Sequence, residues 1–159
     1  MKSVAAILGA VALLSATAAI PASAMTAQQS VEVETETTNA DGTRTVVRLP
    51  AESVVPGSKL VYTVTFTNDK AEPTNNLNFT LPVPQEVTYV EGTADKAGTI
   101  VTVSTDGGSS FTTRGAATVV DAGQSRRATA ADITHIRWQV PGPVAPGTTD
   151  SIAFKAILN

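Results

Sequence analysis

Cysteine is absent from this 159-residue chain, and histidine and tryptophan occur once each. Without thiols there is no disulfide framework, zinc knuckle, iron–sulfur ligation or thiol nucleophile. One imidazole also excludes a multi-histidine metal site. Aromatic residues make up 4% of the chain, so those needed to fill a core leave few for stacking on sugars. Charged residues are sparse at 16%, the formal net charge is −3, and no basic run exceeds Arg126-Arg127. Nothing offers a basic surface to phosphates, and nucleic acid is not expected as a partner. No Gly-x-Ser-x-Gly elbow, phosphate-cradling glycine loop or His-Glu-x-x-His helix is present.

What the chain does have begins with an export leader. Lys2 precedes the uncharged, Ala- and Leu-rich run Val4 to Ile20, and Pro21 ends it. The run of 17 residues is short for a spanning helix, which needs about 20. Ala22 and Ala24 put small side chains at the positions a signal peptidase reads, so a helical signal peptide is predicted over residues 1–24, cut before Met25. Cleavage leaves 135 residues, enough for one domain whose core stands without disulfides. The expected location is exported: periplasm, cell surface or medium, with no transmembrane anchor after cleavage.

Threonine and valine supply 40 of those 135 residues, and both favour a pleated, half-buried surface. Alternation is clearest from Lys59 to Thr67, where Leu60, Tyr62, Val64 and Phe66 take one face and threonines most of the other. Leu77, Phe79 and Leu81 repeat it, Val87 and Tyr89 begin a short strand, and Ile136, Trp138 and Val140 follow. Ile152, Phe154, Ala156 and Leu158 close the series. Leu60, Tyr62, Val64, Phe66, Phe79, Tyr89, Trp138 and Phe154 are the expected core. Pro56-Gly57 and Pro146-Gly147 suit the central pair of a type II turn. Asp106-Gly107-Gly108 is expected to turn a hairpin between 100–105 and 109–113. The spacing predicts an all-β fold, a single antiparallel β-sandwich.

Two segments are less regular. Residues 31–49 alternate around Asn39-Ala40-Asp41-Gly42 and read either as a hairpin of the domain or as a detachable N-terminal strand, with 25–42 a strand or linker ahead of the domain at 43–159. Residues 114–132 lack a period and read as a long loop with at most a short helical turn.

The run Val55-Pro56-Gly57-Ser58-Lys59-Leu60-Val61-Tyr62-Thr63-Val64-Thr65-Phe66-Thr67-Asn68, a Pro-Gly turn leading into an alternating strand closed by Asn, resembles the opening of the DUF11-like domains of exported bacterial and archaeal surface proteins. Leu81-Pro82 followed by Val87 to Gly92, then Ser104-Thr105-Asp106-Gly107-Gly108, then Ile136-Arg137-Trp138 with Pro146-Gly147 and Ile152-Ala153-Phe154, follow in that family's order. The resemblance covers about residues 43–159 and implies an immunoglobulin-like sandwich of the cell envelope. It carries over no catalytic motif. Members often occur as tandem repeats, whereas this chain has room for one copy.

Candidate chemistry is thin. His135 is the sole imidazole base, and its strand position sets it opposite Ile136 and Trp138, on a solvated face. Glu32, Glu34 and Glu36 form a carboxylate row, but alternate strand residues lie about 6.6 Å apart, too far for one calcium ion. An edge strand guarded by like charges is the simpler expectation. No catalytic, cofactor-binding or metal-binding residue is assigned. The expectation is a non-enzymatic envelope protein, structural or interacting with an envelope or surface protein, or self-associating through a sheet edge by way of segment 25–38. The alternative is a soluble carbohydrate- or ligand-binding domain using loop 114–132.

Overall fold

The computed structural model describes residues 25–159; Ala22, Ala24 and the rest of the expected leader lie outside the described residues. Ten strands form antiparallel sheets packed as a sandwich, in agreement with the all-β expectation. The larger sheet has the order β2-β1-β3-β10-β5 and the smaller one β4-β9-β6. Their ranges are β1 Thr26–Thr38, β2 Arg44–Pro50, β3 Lys59–Thr67, β4 Leu77–Pro82, β5 Val87–Tyr89, β6 Ile100–Ser104, β9 His135–Val140 and β10 Thr149–Leu158. A separate hairpin joins β7, Thr118–Asp121, to β8, Gln124–Arg127.

Alternation explains the core. Residues directly opposite in an antiparallel ladder point to the same face, and β3 sets Leu60, Tyr62, Val64 and Phe66 against Ala156, Phe154, Ile152 and Asp150 of β10. The first three of those pairs are buried on both sides. Tyr62 and Phe154 lie nearly parallel with centroids 4.8 Å apart. Trp138 meets Phe154 from the smaller sheet at 6.4 Å, and Phe66 stacks on Phe79 at 4.5 Å, so aromatic contacts bridge the two layers. The Trp138 Nε1–H donates to the Ala94 carbonyl over 2.8 Å, which satisfies the one polar atom of a fully buried indole. Of the expected core, seven side chains are buried and Phe79 is partly buried, packed against the cluster.

Both Pro-Gly pairs turn the chain as expected. The Ser58 N–H donates to the Val55 carbonyl and the Thr148 N–H to the Ala145 carbonyl, with φ of +87° at Gly57 and +72° at Gly147. Those dihedrals favour glycine because a Cβ would clash.

Three expectations change. The Asp106-Gly107-Gly108 hairpin shrinks to a single bridge, Val103 to Thr112. The Asp106 carboxylate takes hydrogen bonds from the Ser104 hydroxyl and from the Ser110 N–H and hydroxyl, so a side-chain-organised loop replaces the ladder. Residues 114–132 are no structureless loop. They hold the β7–β8 hairpin between two single 3-10 turns, pinned at its base by buried Ala117 and Ala128, whose main chains bond at 2.9 Å. The strand Gln124–Arg127 carries no apolar residue and gave no periodicity to read. Finally, β1 is not a guarded edge at Glu32 and Glu34: it pairs with β3 from Thr26 to Glu34 and with β2 from Glu32 to Thr38, and only Glu36 keeps one side open.

The hairpin tip is strained at one residue. Ala122 has φ of +47° and Gly123 +81°, both positive as a two-residue type I′ turn requires. Alanine pays a steric cost there that asparagine largely avoids. Ala122→Asn is therefore expected to raise stability by about 0.5–1 kcal/mol, measurable as a higher midpoint in urea with an unchanged slope.

Candidate interaction surface

The β1–β2 ribbon is the most distinctive surface of the molecule. Its turn forms because the Gly42 N–H donates to the Asn39 carbonyl and the Asn39 N–H to the Thr43 carbonyl, with Gly42 at φ of +81°. Asp41 accepts from the Thr43 N–H and hydroxyl and stiffens the same turn. Beyond the Lys59–Glu34 pairing β1 has no partner on the β3 side, so residues 35–47 project past the end of β3 as two strands alone. Every residue of β2 is exposed, including Val46 at 54%, Val47 at 38% and Leu49 at 53%.

Main-chain parity along β2 follows from the two ends of its ladder. Asn39 donates to Thr43, and the Ala51 N–H donates to the Val31 carbonyl. Main-chain groups alternate in direction along a strand, so those of Thr45, Val47 and Leu49 turn toward β1. Those of Arg44, Val46 and Arg48 turn to the open side, whereas Pro50 has no N–H and its carbonyl accepts from the Glu52 N–H at 2.9 Å. The edge of the larger sheet thus presents a row of unpaired donors and acceptors beside apolar side chains. At the opposite edge β5 is only three residues long.

Charge fastens this ribbon to the outer face of the sheet. Glu34, with its side chain 8% exposed, meets Lys155 at 2.7 Å and Arg48 at 3.4 Å, and Glu36 meets Arg44 and Lys59 at 3.5 and 3.6 Å. Glu34 and Glu36 of the carboxylate row therefore serve as a ladder of ion pairs across β2, β1, β3 and β10. The hydrogen bond from Lys155 holds the Glu34 carboxyl below the usual carboxylate range, with Arg48 adding to the effect and partial burial opposing it. A carboxyl held below its unfolded value stabilises the fold at neutral pH, and that contribution disappears as pH falls through the folded-state value. Asp150, lowered by its hydrogen bond from Lys96, acts in the same direction. Acidification is expected to lower the amide protection factors of β2, referenced to intrinsic exchange at each pH, before those of β3 and β10, and Glu34→Gln to remove much of that pH dependence. With the partners partly solvated, the neutral-pH loss in Glu34→Gln is expected to be about 1 kcal/mol.

A cleft of about 370 Å³ lies over this ion pair, lined by Glu34, Lys59, Val90, Thr93, Lys155 and Ile157. Among the described residues, no group of three or more His, Asp or Glu is placed to hold a metal ion. Asp41, Asp69 and Asp106 remain in their separate turns; Asp69 accepts a hydrogen bond from the Thr26 hydroxyl.

The other candidates are dispersed. His135 is half-buried, its Nδ1 3.2 Å from the Thr134 hydroxyl and its ring packed over Gly108. A Cβ at Gly108 would meet that ring at an ordinary 3.5 Å, so glycine is favoured there by its φ of +87° rather than by the ring, and the histidine is half-buried where a solvated side chain was expected. Arg126 is clamped by Asp132 at 2.7 and 2.9 Å and by Asp121 at 3.3 Å. Beside 114–132, Phe111 is half-buried and carries the Arg137 guanidinium 3.5 Å from its ring centroid, so that face is already covered. Among the described residues no helix is long and apolar enough to cross a membrane.

Sequence reasoning missed the open side of β2 and the Glu34–Lys155 pair. The apolar run Val46-Val47 with Leu49 was visible, but nothing local links residue 34 to residue 155. No family model, curated protein or solved structure matches this chain.

Proposed function

We propose that this chain is a non-enzymatic, exported β-sandwich of the cell envelope, of the DUF11-like kind its motifs resemble, that works by engaging a protein strand at its sheet edge. The observation that carries this reading is the β2 edge: seven exposed residues, of which Arg44, Val46 and Arg48 turn their main-chain groups to the open side, with three exposed aliphatic side chains. Strand addition to such an edge draws affinity from main-chain hydrogen bonds and specificity from alternate side chains. The leader before Met25 supports export, and the absence of cysteine leaves the protein indifferent to the redox state of that compartment.

The carbohydrate-binding alternative is less favoured. It placed the site in loop 114–132, whereas that segment is a pinned hairpin without an aromatic residue and its neighbour Phe111, the ring that sugar stacking would use, is capped by Arg137. Expression of the full chain, fractionation of cells and medium, and mass determination of the recovered protein test the proposal. The expected result is a chain beginning at Met25 in the envelope fraction. An intact leader with cytosolic recovery would sink it.

A further inference from the structure

We infer that the β2 edge is a homotypic interface, in which a second copy of this chain adds its own β2 antiparallel and joins two five-stranded sheets into one. This inference rests on the strand-engaging function proposed above and names the partner for it. The reason is self-complementarity of a kind that few other strands would share.

A two-fold axis perpendicular to the sheet keeps inner and outer faces aligned across the junction, so permitted registers differ by steps of two residues. Centring the pair on Val47 overlaps all seven residues, sets Val47 against Val47 of the second copy, Thr45 against Leu49 and Val46 against Arg48. Slipping by two residues sets Arg44 against Arg48 in one direction and Arg48 against Arg48 in the other, and each slip shortens the overlap. Like charges directly opposite are destabilising. The register with the most contact is thus the one that avoids every arginine pair. Arg48 then lies between its own Glu34 and the second copy's Val46, over which its aliphatic stem can lie.

Hydrogen-bond parity agrees with that register. The open-side groups belong to Arg44, Val46 and Arg48, so Val46 of each copy exchanges both bonds with Arg48 of the other. About four main-chain hydrogen bonds result, all between groups now facing solvent. Val47 with its counterpart forms the close, non-hydrogen-bonded pair at the centre. Among the described residues, β2 and the adjoining Thr26–Ser30 of β1 are exposed. Pro50 and the two arginines blunt an edge against indiscriminate pairing, and this register accommodates all three.

Three variants of the full chain, expressed with its leader and recovered from the envelope, test the inference. Val47→Cys introduces the sole thiol, and its central pair lies within disulfide reach. Val46→Pro removes an open-side N–H without taking a hydrogen bond from β1, and Val46→Lys sets a lysine against Arg48 while leaving the backbone unchanged. The expected result is a doubled mass for the unmodified protein in sedimentation at micromolar concentration, a disulfide-linked dimer of Val47→Cys on mild oxidation, and monomers for both Val46 variants with unaltered far-ultraviolet circular dichroism. A monomeric protein whose Val47→Cys form stays uncrosslinked overturns the inference. If the Val46 variants then also leave the envelope fraction, the edge engages a different protein and the functional proposal survives. If their distribution is unchanged, both fall.

Discussion

Phe154→Ala is expected to lower the unfolding free energy by about 3–5 kcal/mol, the largest effect of any single substitution considered for this fold. Phe154 is fully buried at the middle of β10, the strand that pairs with both β3 and β5. Its ring stacks on Tyr62, meets Tyr89 edge-on at 6.2 Å and faces Trp138 across the two layers. Truncation removes the transfer free energy of the ring and opens a cavity that four rigid strands cannot collapse around. Against the 5–15 kcal/mol typical of a domain this size, the variant should be only marginally folded at 37 °C. Phe154→Leu, which keeps most of the volume, is expected to cost about 1.5 kcal/mol. Denaturant titrations of the two variants would check the contrast. Equal losses would mean that the aromatic contacts, rather than the filled volume, dominate.

Asn68→Ala is expected to cost about 2–4 kcal/mol, an unusual amount for a residue just outside a strand. Asn68 is fully buried, and its amide donates to the Val144 carbonyl at 2.7 Å and the Glu72 carbonyl at 3.1 Å. Its carbonyl accepts from the Lys70 N–H and the Thr74 hydroxyl. One side chain thereby closes the 68–74 loop and ties it to the segment before β10. Alanine leaves those partners, the Val144 carbonyl above all, without a bond. Asn68→Asp tests the donor role separately. It keeps an acceptor for Lys70 and Thr74 but aims a carboxylate at two carbonyl oxygens, which raises its folded-state pKa. A group with a raised folded pKa favours folding below its unfolded value and loses that contribution as pH rises. Asn68→Asp should therefore be less stable than Asn68→Ala near pH 7 and recover on mild acidification, opposite in sign to the acid sensitivity expected from Glu34. Thermal melts between pH 4 and pH 8 would show the crossing.

Much of the sandwich was legible in one dimension. Alternation of large and small-polar side chains along Lys59 to Thr67, His135 to Val140 and Thr149 to Leu158 is a local record of which face meets the core. The Pro-Gly turns were equally legible, because a positive φ at the third turn position selects glycine with no help from the rest of the fold. The segments that misled were those in which side-chain hydrogen bonding or tertiary pinning replaced periodicity. Asp106 captured Ser104 and Ser110 and dissolved a hairpin that its glycines advertised. Residues 118–127 became strands because Ala117 and Ala128 dock in the core and leave the intervening chain to pair with itself.

The interaction surface divides along the same line. That residues 31–49 alternate and turn at Asn39 to Gly42 was available from sequence, as was the carboxylate row. A period of two states which face a residue takes and is silent about its neighbours across the ladder. Only the folded chain decided that β1 would lie inside the sheet at Glu32 and Glu34, that β2 would become the open edge, and that Glu34 would meet Lys155, 121 residues away. Those outcomes depend on how ten strands share one buried volume, a non-local choice made by packing. By itself the sequence determined the β character, the inward faces and the turns, each set by the covalent and steric limits of a few adjacent residues. The tertiary structure decided which edge stays open, because an edge is defined by the strand that is not there.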